Sequence, residues 1–122
     1  MPTLTLTITA TLDGLPYKSW VRRITCDEAQ PFDTEQAAHG DATTFTALPG
    51  DKLDTVQVLI LHPDQAVTVR LDGQTDAGIV LAAGGLLALV DATIDAGAGA
   101  ANAKVNNNSG ATAVLSGLLA GT

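Results

Sequence analysis

The chain has 122 residues, 46% of them apolar, and a formal charge of −7 at pH 7, with an isoelectric point near 4.3. A chain of this length builds one domain, 1–122, and buries roughly two thirds of its unfolded surface. The acidity excludes the clustered Lys and Arg that phosphate-backbone binding needs, so nucleic acid is not an expected partner.

Thr3 to Leu12 alternates without a fault, with Leu4, Leu6, Ile8, Ala10 and Leu12 against five threonines. A period of two with β-branched residues on the wet side predicts a half-buried strand. Asp13-Gly14 gives a turn, and Tyr17 to Cys26 resumes the extended pattern. Trp20, Arg22 and Ile24 share one face there, and Tyr17, Ser19, Val21 and Arg23 the other. Pro16 near its start suits an edge position.

Asp27 to Gly40 is polar and carries Pro31, so it reads as a loop, with a short strand or a single helical turn at Thr34 to Ala38. Ala42 to Leu48 reads as a strand through Thr44, Phe45 and Thr46, closed by Pro49-Gly50-Asp51. Leu53 to Leu61 is a strong strand, His62-Pro63-Asp64-Gln65 turns the chain, and Ala66 to Leu71 returns before Asp72-Gly73.

Ile79 to Val90 holds two apolar runs around Gly84-Gly85, the residues of a two-residue hairpin turn. That hairpin would set Ile79 opposite Val90, Leu81 opposite Ala88 and Ala83 opposite Leu86, with Val80–Leu89 and Ala82–Leu87 on the other side. An antiparallel hairpin usually keeps one wet face, and this one has none. A second cover is therefore expected, a neighbouring subunit gripping Val80, Leu87 and Leu89. Asp91 to Ile94 extends the second arm, and 95–101 is an Ala/Gly loop. Lys104 to Asn107 and Thr112 to Leu118 read as a final hairpin around Ser109-Gly110. Eight or nine short strands and no helical stripe predict an all-β fold, an antiparallel β-sandwich or jelly roll.

Catalytic signals are faint. Cys26 with His39 or His62 would make a nucleophile and base, but neither His sits in a motif, and a lone Cys in a β chain is ordinarily a small buried apolar residue. His39-Gly40-Asp41 and His62-Pro63-Asp64 fall short of the three or four ligands of a zinc site. Asp72 to Asp76 lacks the Glu of a calcium loop. No cofactor, metal or catalytic residue is assigned. Asn102, Asn106, Asn107 and Asn108 suit sugar binding but lack a nearby aromatic platform, and turn chemistry explains them. Trp20 with Arg22 fits a partner-binding anchor. The single Cys excludes an internal disulfide, and the opening residues lack a signal peptide's basic start and apolar segment. The longest apolar run is too short for a membrane-spanning helix, so no membrane partner is expected.

Val67-Thr-Val-Arg-Leu-Asp-Gly73, Ile79 to Ala92, Val105-Asn-Asn-Asn-Ser-Gly110 and Leu118-Leu-Ala-Gly-Thr122 together resemble the C-terminal half of small β-structured virion proteins of tailed bacteriophages. These are capsid decoration (cement) or head-tail proteins, and the resemblance spans about residues 66–122. It implies a non-enzymatic protein, a homotrimer by preference, that binds the major capsid protein or another virion protein and resides in the virion after assembly in the host cytoplasm. The expected interface residues are Val80, Leu87, Leu89, Trp20 and Arg22. The competing expectation is a carbohydrate- or ligand-binding β-sandwich module, which would display Trp20 or Tyr17 in a groove.

Overall fold

The computed structural model describes residues 2–49, 53, 55–71, 78–94 and 103–122. They form ten strands: β1 (Thr3–Leu12), β2 (Leu15–Thr25), β3 (Glu28–Gln36), β4 (Thr46–Ala47), β5 (Val56–Pro63), β6 (Val67–Arg70), β7 (Ile79–Leu81), β8 (Leu87–Ile94), β9 (Lys104–Asn106) and β10 (Ala113–Gly121). All pairings are antiparallel. The all-β, antiparallel expectation holds.

β3 to β10 make two four-stranded sheets, ordered β3-β10-β5-β8 and β4-β9-β6-β7. The pairs β3·β10, β4·β9, β5·β8 and β6·β7 nest inside one another. These eight strands therefore pair as the two arms of one long antiparallel hairpin, and the arms alternate between two sheets. This nesting is how a jelly roll is strung. The sheets share one core, in which Leu59, Leu61, Leu115 and Leu119 of the first meet Val67, Val69, Leu81 and Val105 of the second. Fully burying such side chains stabilises by about 1.5–3 kcal/mol each, before conformational entropy is charged against it.

β1 and β2 stand apart as a two-stranded ribbon. Asp13 (φ 50°) and Gly14 (φ 77°) both adopt positive φ, as a two-residue hairpin turn with the twist of its strands requires. Directly opposed residues share a face, so Leu4, Ile24, Leu6, Arg22, Ile8 and Trp20 lie on one side. The base of that side covers the outer face of the first sheet. Ile24, Cys26, Leu4 and Leu6 pack there on Val58, Ile60, Val90 and Ala120. This explains why β5 is apolar on both sides: Leu59 and Leu61 face the other sheet, and Val58 and Ile60 face the ribbon.

Four expectations are corrected. Ile79–Leu81 and Leu87–Ile94 are not paired with each other: β7 pairs with β6 and β8 with β5, in different sheets. The turn is Ala82 to Gly85, closed by the Gly85 N–H donating to the Ala82 carbonyl at 2.9 Å, with Gly84 at φ 77° in third place. A turn with positive φ only there is of type II, whose twist splays flanking strands, so it carries the chain between sheets. The Ser109-Gly110 hairpin fails likewise, since β9 and β10 belong to different sheets. The loop expected at 27–40 is largely the nine-residue strand β3. The strand expected at Ala42 to Leu48 is reduced to Thr46–Ala47. The expected loops at Asp72-Gly73 and 95–101, and Pro49-Gly50-Asp51 except Pro49, lie outside the described residues.

Candidate interaction surface

Beyond Leu6 on β1 and up to Arg23 on β2, every ribbon residue is exposed. Apolar side chains populate both of its faces. Ile8 and Trp20 (53% exposed) sit opposite each other on the face that continues from the covered base, while Val21 opposes Thr7 on the reverse. Past the register shift at Ala10/Thr11, Leu12 pairs with Leu15 (70% exposed), and Tyr17 (75%) stands out between them and Lys18. Six large apolar groups so exposed amount to roughly 500–700 Å² over the two faces together. A two-stranded ribbon is at best marginally stable alone in water. The doubly exposed apolar surface expected at residues 79–90 therefore lies on the ribbon instead.

Where the ribbon leaves the body, Leu6, Ile8, Trp20, Val21, Arg22 and Val90 line an open cavity of about 440 Å³. Lys18 Nζ lies 5.9 Å from the Trp20 ring centroid, a cation–π arrangement that keeps the indole presented. Trp20 and Arg22 are thus brought together. Val80, Leu87 and Leu89 are not joined to them. Leu87 and Leu89 are half-buried against the chain's own core. Val80 is 76% exposed on the outer side of the second sheet, opposite Thr68. The sequence placed these three on a single hairpin, and that hairpin does not exist.

The other candidates resolve into structure. Cys26 is buried in the apolar cluster under the ribbon. His62 is exposed beside Ser116 on the outside of β5. His39 sits in the β3–β4 connection, where its Nδ1 accepts from the Asn107 N–H (2.9 Å) and its N–H donates to the Asn107 carbonyl (2.8 Å). With Nδ1 accepting, the neutral ring carries its proton on Nε2, which then donates to Thr46 Oγ1 at 2.9 Å. These three side chains occupy three separate environments. No group of three or more His, Cys, Asp or Glu able to hold a metal occurs among the described residues.

Asn106 and Asn107 are both buried, and the amide N–H groups of both are committed to backbone carbonyls. Asn106 Nδ2 donates to the carbonyls of Asp41 and Thr44. Asn107 Nδ2 donates to those of Gln36 and Ala111, and its Oδ1 accepts from the N–H and hydroxyl of Ser109. Bonds so committed leave these two little to offer a sugar. Asp41 completes the node: its carboxylate accepts from the N–H and hydroxyl groups of Thr43 and Thr44. The Thr43 N–H, then the Thr44 N–H and hydroxyl, hold its carboxyl below the usual carboxylate range. A lowered folded value means stability present above the ordinary value and lost as pH falls through the folded one. In denaturant titrations from pH 7 to pH 3, the Asp41→Asn variant is expected to lose less stability than the parent; an identical pH profile would refute the assignment.

No family model, curated protein or solved structure matches the chain.

Proposed function

We propose that the chain is a non-enzymatic structural protein of a tailed-phage virion, a capsid decoration protein that oligomerises and binds the shell lattice. The observation that carries the reading is the ribbon, which exposes apolar side chains on both faces and, among the described residues, is anchored at its base. A domain of this size gains more from covering such an arm with another chain than from any surface ion pair. The resemblance of residues 66–122 to small virion proteins supplies the class of partner, a protein shell. The strand order of the body, 3-10-5-8 over 4-9-6-7, suits that role, since jelly rolls occur widely in virion components.

The test is co-sedimentation with shells of the major capsid protein encoded in the same genome. Saturable pelleting is expected, weakened at least tenfold by Trp20→Ala; a chain that stays in the supernatant overturns the reading. A second reading rests on the cavity beside the exposed indole of Trp20. There a sugar ring would stack on the indole while Arg22 bonds its hydroxyls. Binding on a glycan array that Trp20→Ala abolishes, without shell pelleting, would favour this ligand-binding module.

A further inference from the structure

Charge is divided unevenly along the chain. Residues 3–25 hold Lys18, Arg22 and Arg23 against the single acid Asp13, a net +2, which leaves −9 for the rest of the −7 chain. Two bodies therefore repel, and two ribbons repel weakly. The attractive approach between two copies sets the ribbon of one on the body of the other.

The body offers a place of matching sign. β3 is an edge strand of the first sheet, and its outward residues Pro31, Asp33 and Glu35 are exposed. Their cross-strand neighbours on β10, in the same order, are Leu118, Ser116 and Val114, all half-buried. The chain's own ribbon covers the other part of this face, over Val58, Ile60, Val90 and Ala120. Half of one sheet face is thus sheathed by a ribbon, and the remaining half is acidic with apolar ground beside it. At about 3.3 Å per residue, Leu6 to Leu12 reaches roughly 20 Å, enough to cross a four-stranded sheet face at about 4.8 Å per strand.

We infer that the distal ribbon docks on a second copy of this chain, laying Tyr17, Leu15 and Leu12 beside Leu118 and Val114, with Lys18 facing Asp33 and Glu35. The donor and acceptor surfaces differ, so the contact is either exchanged between two copies or passed from copy to copy around a closed ring. Apolar burial supplies the affinity, and the charges set its direction, since exposed pairs are screened over about 10 Å at 0.1 M salt. The inference rests on the assembly reading and names the surface through which copies would meet.

Light scattering on the full chain at micromolar concentration decides it. The parent is expected as one closed oligomer, an exchanged dimer or a ring. Reversing the acceptor (Asp33→Lys with Glu35→Lys) or the donor (Lys18→Glu) is expected to yield monomer, and combining the three changes to restore the oligomer. All three positions are exposed, so circular dichroism should report an unchanged fold. A monomeric parent or an oligomer indifferent to either reversal overturns the inference, as does failure of the combined variant to reassemble. A monomer that still pellets with shells would sink this contact and leave the assembly reading standing; an oligomer that ignores shells would do the opposite.

Discussion

Replacing Gly117 by alanine is expected to be among the most damaging single-methyl changes available to this chain. Gly117 lies in β10 between Phe32 of β3 and Leu61 of β5, at the centre of the first sheet. A Cβ there would run into the backbone carbonyl of Ile60 and approach Cζ of Phe32 to 2.9 Å. The ring can turn aside, but the carbonyl belongs to a sheet bonded on both edges and moves only if the ladder moves. Overpacking in a core costs about 1–3 kcal/mol, and an obstacle made of backbone puts this case at about 3 kcal/mol or more. For a domain of this size that is a fall in Tm of about 10 °C or more. Calorimetry checks the loss, and the double variant Phe32→Ala/Gly117→Ala checks the cause. Recovery in the double variant would show that the ring alone was the obstacle. The expected result is no recovery.

The parts legible in the sequence are those whose environment is uniform along a strand. The Thr/Leu alternation of β1 reports a real two-faced ribbon, and Asp13-Gly14 reports its turn. The double apolar character of β5 also has a physical meaning, because the strand is sandwiched between the other sheet and the ribbon. The same logic failed at 79–90. Two apolar runs beside Gly84-Gly85 suit a hairpin and a corner between sheets equally well, and what separates them is whether the turn centres on Gly84-Gly85 or on Ala83-Gly84, which composition does not encode. β3 was hidden for another reason. Its inward positions Glu28, Gln30, Thr34 and Gln36 are polar, so inward and outward residues look alike, and Phe32 alone marks the core side. Its Pro31 argued against a strand, yet β3 is an edge, where a missing N–H costs no ladder bond.

The interface expectation fared similarly. Trp20 and Arg22 were singled out by residue type, and they do share one exposed face of the ribbon. Val80, Leu87 and Leu89 were grouped by a register that the fold does not use. Half-burial of Leu87 and Leu89 against their own core removes most of the argument that a second subunit must cover them. The exposed apolar surface lies on other residues, Leu12, Leu15 and Tyr17, at the distal end of a ribbon whose first strand alternates as well as any buried strand.

Asn107→Leu is expected to cost about 3 kcal/mol, although it keeps the shape of the side chain and adds apolar surface to a fully buried site. Of its four side-chain hydrogen bonds, one ties the β9–β10 connection to the end of β3 through the Gln36 carbonyl, and three hold that connection's own turn together through the Ala111 carbonyl and, twice, Ser109. Removing the amide leaves those partners desolvated, at about 1–3 kcal/mol per buried orphan, with solvent able to rescue the groups on exposed Ser109 and Ala111. Asn107→Asp separates polarity from hydrogen-bond direction. A carboxylate can still accept from Ser109, but it would face two carbonyl oxygens that need donors. Burial and those dipoles would raise its pKa, so the folded variant binds a proton that the unfolded chain has released. Its stability should therefore decline as pH rises from the ordinary aspartate value to the raised folded one, opposite in sign to the contribution of Asp41. Urea titrations of parent and both variants at pH 4 and pH 7 read this directly. If Asn107→Asp matched the parent at pH 7, the Gln36 and Ala111 carbonyls would have found other donors, and the loop from His39 to Thr46 would owe its order to Asn106 and Asp41 instead.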